Sequence, residues 1–400
     1  MALWIDPPVW PAHGRLWAHL VSDQSVAELH AFAASQRLPR RGFERDHYDV
    51  PEQAYDALVV AGATPIPARE LVALLHRCGL RRRKSASMAP RHPGVALVRP
   101  RRLRPGDLVR VPATSGVVPV ERLRAGVQRL KSWGLRVQLG EHVLSRDPRL
   151  TYLAGSDELR AAELAEAWLD PEAAAVMVAR GGYGGQRVAD LLDWRRLAEG
   201  EPKLLIGFSD VTALHQAVAS RLGVVSVHGH VVTSLGAATA DSAHALRTLL
   251  MEPPAGLDLL AAAMPRALVG GTARGVLTGG NLAVLAADIA TPYSRPARGA
   301  IVLLEDVGEE PYRLDRLVTQ LMRAGWFEGV RGIVLGAFTD CGASGEAATV
   351  LEARLVPLGV PLVCDVDIGH TPSSRPVPFG VVAVLDADAG TLTLTDPPLL

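Results

Sequence analysis

The chain has 400 residues, 48% of them hydrophobic, with 42 basic and 42 acidic side chains that leave no net charge. That balance gives no electrostatic footprint for nucleic acid or an anionic membrane surface, and 5% aromatic content gives no base-stacking platform. The three cysteines, Cys78, Cys341 and Cys364, are far apart and form no CxxC, which argues against a disulfide framework or a zinc cluster and fits a reducing compartment.

The opening MALWIDPPVW has neither a basic start nor an apolar core of signal-peptide length, and no run of about 18 apolar residues occurs. The expectation is a cytoplasmic protein of two to three domains with no membrane or nucleic-acid partner. Residues 1–82 read as a small α/β unit. Leu3 to Ile5 suits a strand, Ser25 can cap a helix running to Ala34, and Ala54–Val60 and Arg69–Leu75 suit two more helices. The unit holds five of the twelve histidines, His13, His19, His30, His47 and His76, beside Asp6, Asp46 and Asp49. A metal or phosphate site can be imagined there, but the spacings match no metal motif, and scattered histidines are the simpler reading.

Residues 83–100 are basic and proline-rich and read as a linker. From Arg101 the pattern becomes β-α-β. Asp107–Ala113 and Leu135–Leu139 suit strands and Val120–Trp133 a helix, so a parallel sheet is expected over 101–255. A helix Asp157–Asp170 with Asp157 as candidate cap precedes a strand, Ala175 to Val178. That strand runs into Arg180-Gly-Gly-Tyr-Gly-Gly185, whose glycines let backbone N–H groups turn toward an anion.

The stretch Lys203–Val218 reads as strand, sharp turn and helix, with Ser209 at the turn and Val211, Leu214, Val218 and Leu222 on a buried helix face. This is the geometry of a nucleophile elbow, although Val211 stands where a second glycine is usual; an ordinary helix cap fits the same residues. Val224–Val232 suits a strand on which His228 and His230 would point the same way, a pair that could bind metal and more simply serves structure. Beyond Gly271, Gly275–Gly280 suits a turn before a helix Leu282–Ile289. Ala300–Leu304, Gly332–Ala337 and Val360–Cys364 suit buried strands, and the alternating tail suits strands at a sheet or barrel edge. A second α/β domain over 273–400 follows. Glu305 and His370 each sit just beyond an apolar strand, as Ser209 and the glycine loop do, and that edge is where sites form in α/β sheets. Serine, carboxylate and histidine in that order are the set a nucleophilic hydrolase needs.

Four stretches, Arg180-Gly-Gly-Tyr-Gly, Gly207-Phe-Ser209-Asp210, Leu303-Leu-Glu305-Asp306 and Asp367-Ile-Gly369-His370, resemble those of the LD-carboxypeptidases, serine peptidases of bacterial peptidoglycan recycling. Thr278-Gly-Gly-Asn281-Leu, Gly332-Ile-Val-Leu-Gly336 and Pro105-Gly-Asp107 extend the resemblance over about 102–400. Two positions depart from that pattern: His230 follows Gly229 where proline is usual, and Pro112-Ala-Thr114 precedes Ser115. Residues 1–80 resemble a small bacterial domain of unknown function, through Asp6-Pro-Pro8, Gly14–Leu20 and Arg45–Tyr48.

The LD-carboxypeptidase resemblance implies two domains, one carrying the elbow on a parallel sheet and one with a barrel-like sheet. It implies Ser209 as nucleophile, His370 as base and acid, and Glu305 orienting His370. The N–H groups of Asp210 and of Gly181 or Gly182 would form the oxyanion hole, with Arg180 and Tyr183 as substrate contacts. The implied reaction releases terminal D-Ala from muropeptide tetrapeptides and needs no cofactor or metal. The alternatives are a microcin C immunity type peptidase, which cleaves a peptidyl-nucleotide conjugate, and a non-catalytic binder of cell-wall fragments. The short Gly/Ala-rich stretch Asp340–Ala348 favours the muropeptide, since the immunity type uses a longer loop with an aromatic. Such families include homodimers, and nothing in the sequence decides the oligomeric state.

Overall fold

In the computed structural model, residues 3–12, 14–44, 46–78, 96–254, 256–261 and 264–400 are described. They fall into two units, Met1–Ser87 and Met88–Leu400.

The first unit is a six-stranded sheet with three helices. Its strand order is Phe43–Glu44, His47–Pro51, Arg15–Ser22, Leu3–Ile5, Ala63–Pro65, and Trp10–Ala12 pairs with Arg15–Ser22. Alternation along the two central strands sends Ala18, Leu20, Tyr48 and Val50 into one core with Leu29, Ala33 and Leu58 of helices Val26–Ser35 and Glu52–Val60. Val21 joins Leu71 and Leu75 of helix Ala68–Arg77. Ser25 caps its helix as expected, accepting from the Glu28 N–H at 3.1 Å. Most of the strands escaped the sequence reading because they are short and mix polar with aromatic residues.

The expected linker falls mostly outside the described residues. Its end belongs to the second unit: the Leu97 N–H donates to Gly380 O at 2.8 Å, and Val98 pairs with Val224.

The second unit holds two sheets. One has the order Val377–Phe379, Ser226–His228, Leu204–Gly207, Ala173–Met177, Leu108–Val111, Arg136–Leu139. All its pairings are parallel except that of Val377–Phe379, an antiparallel strand supplied by the C-terminal part of the chain. The other sheet has seven strands, Arg266–Val269, Leu362–Cys364, Gly332–Thr339, Ala300–Val307, Thr272–Asn281, Val382–Asp386 and Thr391–Leu394. Its four central strands are parallel and its margins antiparallel. The two outermost strands are not paired with each other, so the sheet forms a half-barrel. Ile301 to Leu304 are all buried, as befits a parallel strand covered on both faces. Helix Pro311–Arg323 lays Leu314, Val318 and Leu321 on it at helical spacing.

Three local expectations are corrected. Ser156, not Asp157, caps the helix Asp157–Leu169, its hydroxyl accepting from the Leu159 N–H; Asp157 lies in the first turn and pairs with Arg160 and Arg187. Gly275–Gly280 is no turn but part of the strand Thr272–Asn281, whose last residue caps helix Leu282–Ala287. The helix Thr212–Arg221 is buried on every side rather than along one stripe, because it lies between the two sheets. There Gln216 donates to Gly279 O at 3.2 Å, and the Asn281 N–H donates to Thr212 Oγ1 at 3.0 Å.

Gly279 takes φ +124°, and a Cβ there would overlap the Leu303 carbonyl of the neighbouring strand. Gly279→Ala should therefore cost about 3 kcal/mol or more, read as a lowered urea midpoint. An unchanged midpoint would refute this account of the junction.

Candidate active site

Strand Leu204–Gly207 ends in a residue, Phe208, with extended backbone, and Ser209 then takes φ +64° before helix Thr212–Arg221 begins. A left-handed serine between strand and helix has the strained backbone that a nucleophile elbow requires. Two close approaches hold it. A Cβ on Gly181 would lie 3.1 Å from Ser209 Cβ, and one on Gly207 would lie 2.9 Å from a Val211 methyl. Val211 thus occupies the space that Gly207 leaves open, which explains a valine where the elbow pattern has a second glycine.

The glycine loop is fastened to this turn by Asp210. Its buried carboxylate accepts from the Gly185 N–H at 2.7 Å, from the Gly184 N–H and from the Ser115 hydroxyl; burial still pushes its pKa up against those bonds. Arg160, 1% exposed, stands behind the loop and donates to Thr114 O, to Gly184 O at 3.1 Å and to Gly155 O at 3.3 Å. Among the described residues the N–H groups of Gly181 and Gly182 donate no hydrogen bond. The loop therefore offers donors beside Ser209. The Asp210 N–H belongs to the first turn of a helical segment, where N–H groups lack intrahelical acceptors. Arg180 donates to the Val117 carbonyl, and Tyr183, 49% exposed, lies beside Tyr152 with ring centroids 6.1 Å apart.

From the second sheet, Glu305 is fully buried on strand Ala300–Val307, and its Oε2 accepts from His370 Nδ1 at 2.7 Å. A carboxylate can only accept from an imidazole N–H, so Nδ1 carries the proton and Nε2 is left for chemistry. The next residue, Asp306, serves the opposite side. It accepts from Asn281 Nδ2, the Ala283 N–H and the Val307 N–H, and burial raises its pKa to about 6 despite them, with Glu305 adding to the rise. The His370 ring packs on Phe208 with centroids 4.8 Å apart. Glu305 and His370 are thus joined, and Ser209 follows directly on the ring that His370 touches. Among the described residues no hydrogen bond joins the Ser209 hydroxyl to His370.

His228 and His230 do not share a strand face, because the strand stops at His228. His230 bonds the hydroxyls of Ser234 at 3.1 Å and Ser242 at 2.8 Å, and burial lowers its pKa to about 4. His228 is fully buried, both its ring nitrogens lack a hydrogen-bond partner among the described residues, and burial first, then nearby histidines, drive its pKa far down. His215, on the elbow helix, donates from Nε2 to Gly207 O at 2.8 Å and accepts from Ser226; burial lowers its pKa to about 4. Sequence reasoning missed Ser115, Arg160 and His215, since no spacing separates a buried helical Arg or His from an exposed one.

Known proteins resemble the chain along most of its length. Residues 109–229 match the family described as LD-carboxypeptidase N-terminal domain, and 274–385 the LD-carboxypeptidase C-terminal domain. Residues 3–78 match a family of unknown function, DUF4031. A putative carboxypeptidase of Streptomyces coelicolor is 50% identical over 305 residues, 76% of this chain and 98% of its own. Murein tetrapeptide carboxypeptidase of Pseudomonas aeruginosa is 35% identical over 275 residues, 66% of this chain and 88% of its own. The solved muramoyltetrapeptide carboxypeptidase from Oxalobacter formigenes is similar with TM-score 0.62 at 28% identity, over 72% of this chain and 97% of its own. An MccF-like protein from Bacillus anthracis reaches TM-score 0.67 at 23% identity, over 74% and 99%, a likeness of fold.

His230 ordinarily titrates near 6.5 in an unfolded chain and near 4 when folded, so unfolding takes up a proton between those values. Its contribution is complete above pH 6.5 and is lost as pH falls toward 4. In His230→Gln, the slope of unfolding free energy against pH in that window should fall by about 1.4 kcal/mol per pH unit relative to the parent protein. Denaturant titrations at stepped pH check this; equal slopes would refute the buried, neutral assignment.

Proposed function

The chain belongs to the LD-carboxypeptidase family, and on that premise we propose that it is a serine peptidase releasing terminal D-Ala across the L,D-peptide bond of muropeptide tetrapeptides. The observation that carries the reading is the Glu305–His370 pair at 2.7 Å, packed on the residue that precedes the left-handed Ser209.

In this reading Ser209 Oγ attacks the scissile carbonyl carbon while His370 Nε2 takes its proton. Glu305 keeps the proton of Nδ1 in place and stabilises the imidazolium. The negative charge that develops on the carbonyl oxygen is met by the N–H of Asp210 and that of Gly181 or Gly182, in a low-dielectric site where such donors act strongly. His370 then returns its proton to the amine of D-Ala, which leaves, and water resolves the acyl-serine by the same steps in reverse. Arg180 and Tyr183 stand at the loop where the substrate enters, Arg180 as a cationic partner for the D-Ala carboxylate. None of these steps draws on a metal.

The connection between strand Gly332–Thr339 and helix Glu346–Leu355 is short and has no aromatic residue, which favours a muropeptide over a peptidyl-nucleotide conjugate. The joined Glu305–His370 pair favours a working enzyme over a fragment-binding protein. The cytoplasm, where muropeptides are recycled, is the proposed place of action; among the described residues no helix is long and apolar enough to cross a membrane.

Mass spectrometry of muropeptides incubated with the protein should show loss of one alanine from tetrapeptides, and Ser209→Ala should abolish it. Equal turnover by the two proteins would overturn the proposal. Glu305→Gln keeps the shape and removes the charge, and should lower kcat by about 10³–10⁴-fold with a much smaller change in KM. Release of D-Ala should persist in EDTA; loss in EDTA with rescue by zinc would reassign the chemistry to a metal.

A further inference from the structure

A second cluster of chemical groups lies in the first unit, on the face of its sheet opposite Ala18, Leu20, Tyr48 and Val50. His19 on strand Arg15–Ser22 stands directly across from Asp49 on strand His47–Pro51. His47 precedes Asp49 by two residues and so shares its face. Asp6, at the end of strand Leu3–Ile5, flanks His19 from the other side, where the Asp6 N–H donates to His19 O at 3.2 Å. Three neighbouring strands thereby line up Asp6, His19 and Asp49, with His47 beside them.

The ring nitrogens are sorted by this arrangement. His19 Nδ1 lies 3.0 Å from Asp6 Oδ2, and His47 Nδ1 lies 2.6 Å from Asp46 Oδ1. Both Nε2 atoms turn toward one oxygen, Asp49 Oδ1, at 3.9 Å from His19 and 3.3 Å from His47. The rings meet edge to face with centroids 4.9 Å apart. A carboxylate accepts and does not donate, so with a cation held at Asp49 each ring would keep its proton on Nδ1 and offer the Nε2 lone pair to the ion. Two ring nitrogens and a carboxylate oxygen converging on one point call for positive charge among them, which a metal ion can supply.

We propose that His19, His47 and Asp49 bind a first-row divalent metal ion, with Asp6 and Asp46 orienting the two imidazoles. Donors about 2.0–2.1 Å from a tetrahedral zinc ion stand about 3.3 Å apart. The His47–Asp49 separation already matches that figure, and all three donor atoms lie within 4.8 Å of one another. A histidine ligand backed by a carboxylate is the usual support of such sites. Asp6 is suited to it: its side chain is 2% exposed and is pinned by the Trp10 indole N–H at 3.2 Å. Two imidazoles and one carboxylate suit Zn²⁺, Fe²⁺ or Mn²⁺ and leave coordination positions open. Asp49, 40% exposed, puts the open side within reach of solvent and a small ligand. The sequence put these residues in one histidine- and aspartate-rich unit but favoured scattered histidines, because residues 19, 47 and 49 carry no metal-ligand spacing; antiparallel pairing brings them together.

The test is titration of the full chain with Zn²⁺ by calorimetry and with Co²⁺ by visible absorption. One equivalent should bind, and the Co²⁺ form should show ligand-field bands. His47→Gln and Asp49→Asn should each weaken binding by about tenfold or more, with unchanged circular dichroism and unchanged release of D-Ala. X-ray absorption of the Zn²⁺-loaded parent protein gives an answer independent of variant folding: a nitrogen and oxygen shell with imidazole scattering is expected. No saturable binding, a sulfur-containing shell, or affinity untouched by either well-folded variant would overturn the proposal.

Discussion

The left-handed backbone of Ser209 is the constraint on which the second unit turns. No residue with a Cβ adopts φ +64° without strain, and the surroundings must over-determine it. They do so from both sides of the chain. Gly207 lets Val211 fold back under the turn, and Gly181 lets the preceding loop close over the serine. Asp210 then ties that loop down through N–H groups, and Arg160 holds the loop's Gly184 carbonyl from behind. One carboxylate and one guanidinium, both buried, thus hold the backbone around Ser209.

The remaining groups arrive from another sheet. The strand ending at Asn281 docks on the elbow helix through Thr212 and Gln216, and the adjacent strand carries Glu305 to His370. Little water reaches this seam. His215, His228 and His230 are buried and neutral, each with its pKa driven down by burial, and they surround Phe208 and its neighbours without competing for protons near neutral pH. His370 differs from them in being only half-buried and in having the buried Glu305 carboxylate bonded to its ring.

The first unit uses the same pairing of imidazole with carboxylate for a different geometry. In the second unit one carboxylate backs one histidine beside a serine. In the first, two backed histidines face a third carboxylate. The former suits proton transfer, and the latter suits a cation. The match of residues 3–78 to a family without known function leaves that chemistry to be read from the side chains themselves.

Many of the strands and helices from 101 onward, the sharp turn at Ser209, the glycine loop and the positions of Glu305 and His370 beyond apolar strands were legible from the chain, because each rests on local signals: apolar runs, helical spacing and glycines at strand ends. Tertiary structure alone decided that Val377–Phe379 crosses to the first sheet, that Gly275–Gly280 is strand and not turn, and that Ser115, Arg160 and Asp210 clamp the loop. It also decided the gathering of His19, His47 and Asp49. Local patterns record which face a residue takes within its own element. Which distant element meets that face depends on strand pairing and packing across the whole chain, and for these contacts no short-range pattern exists to be read.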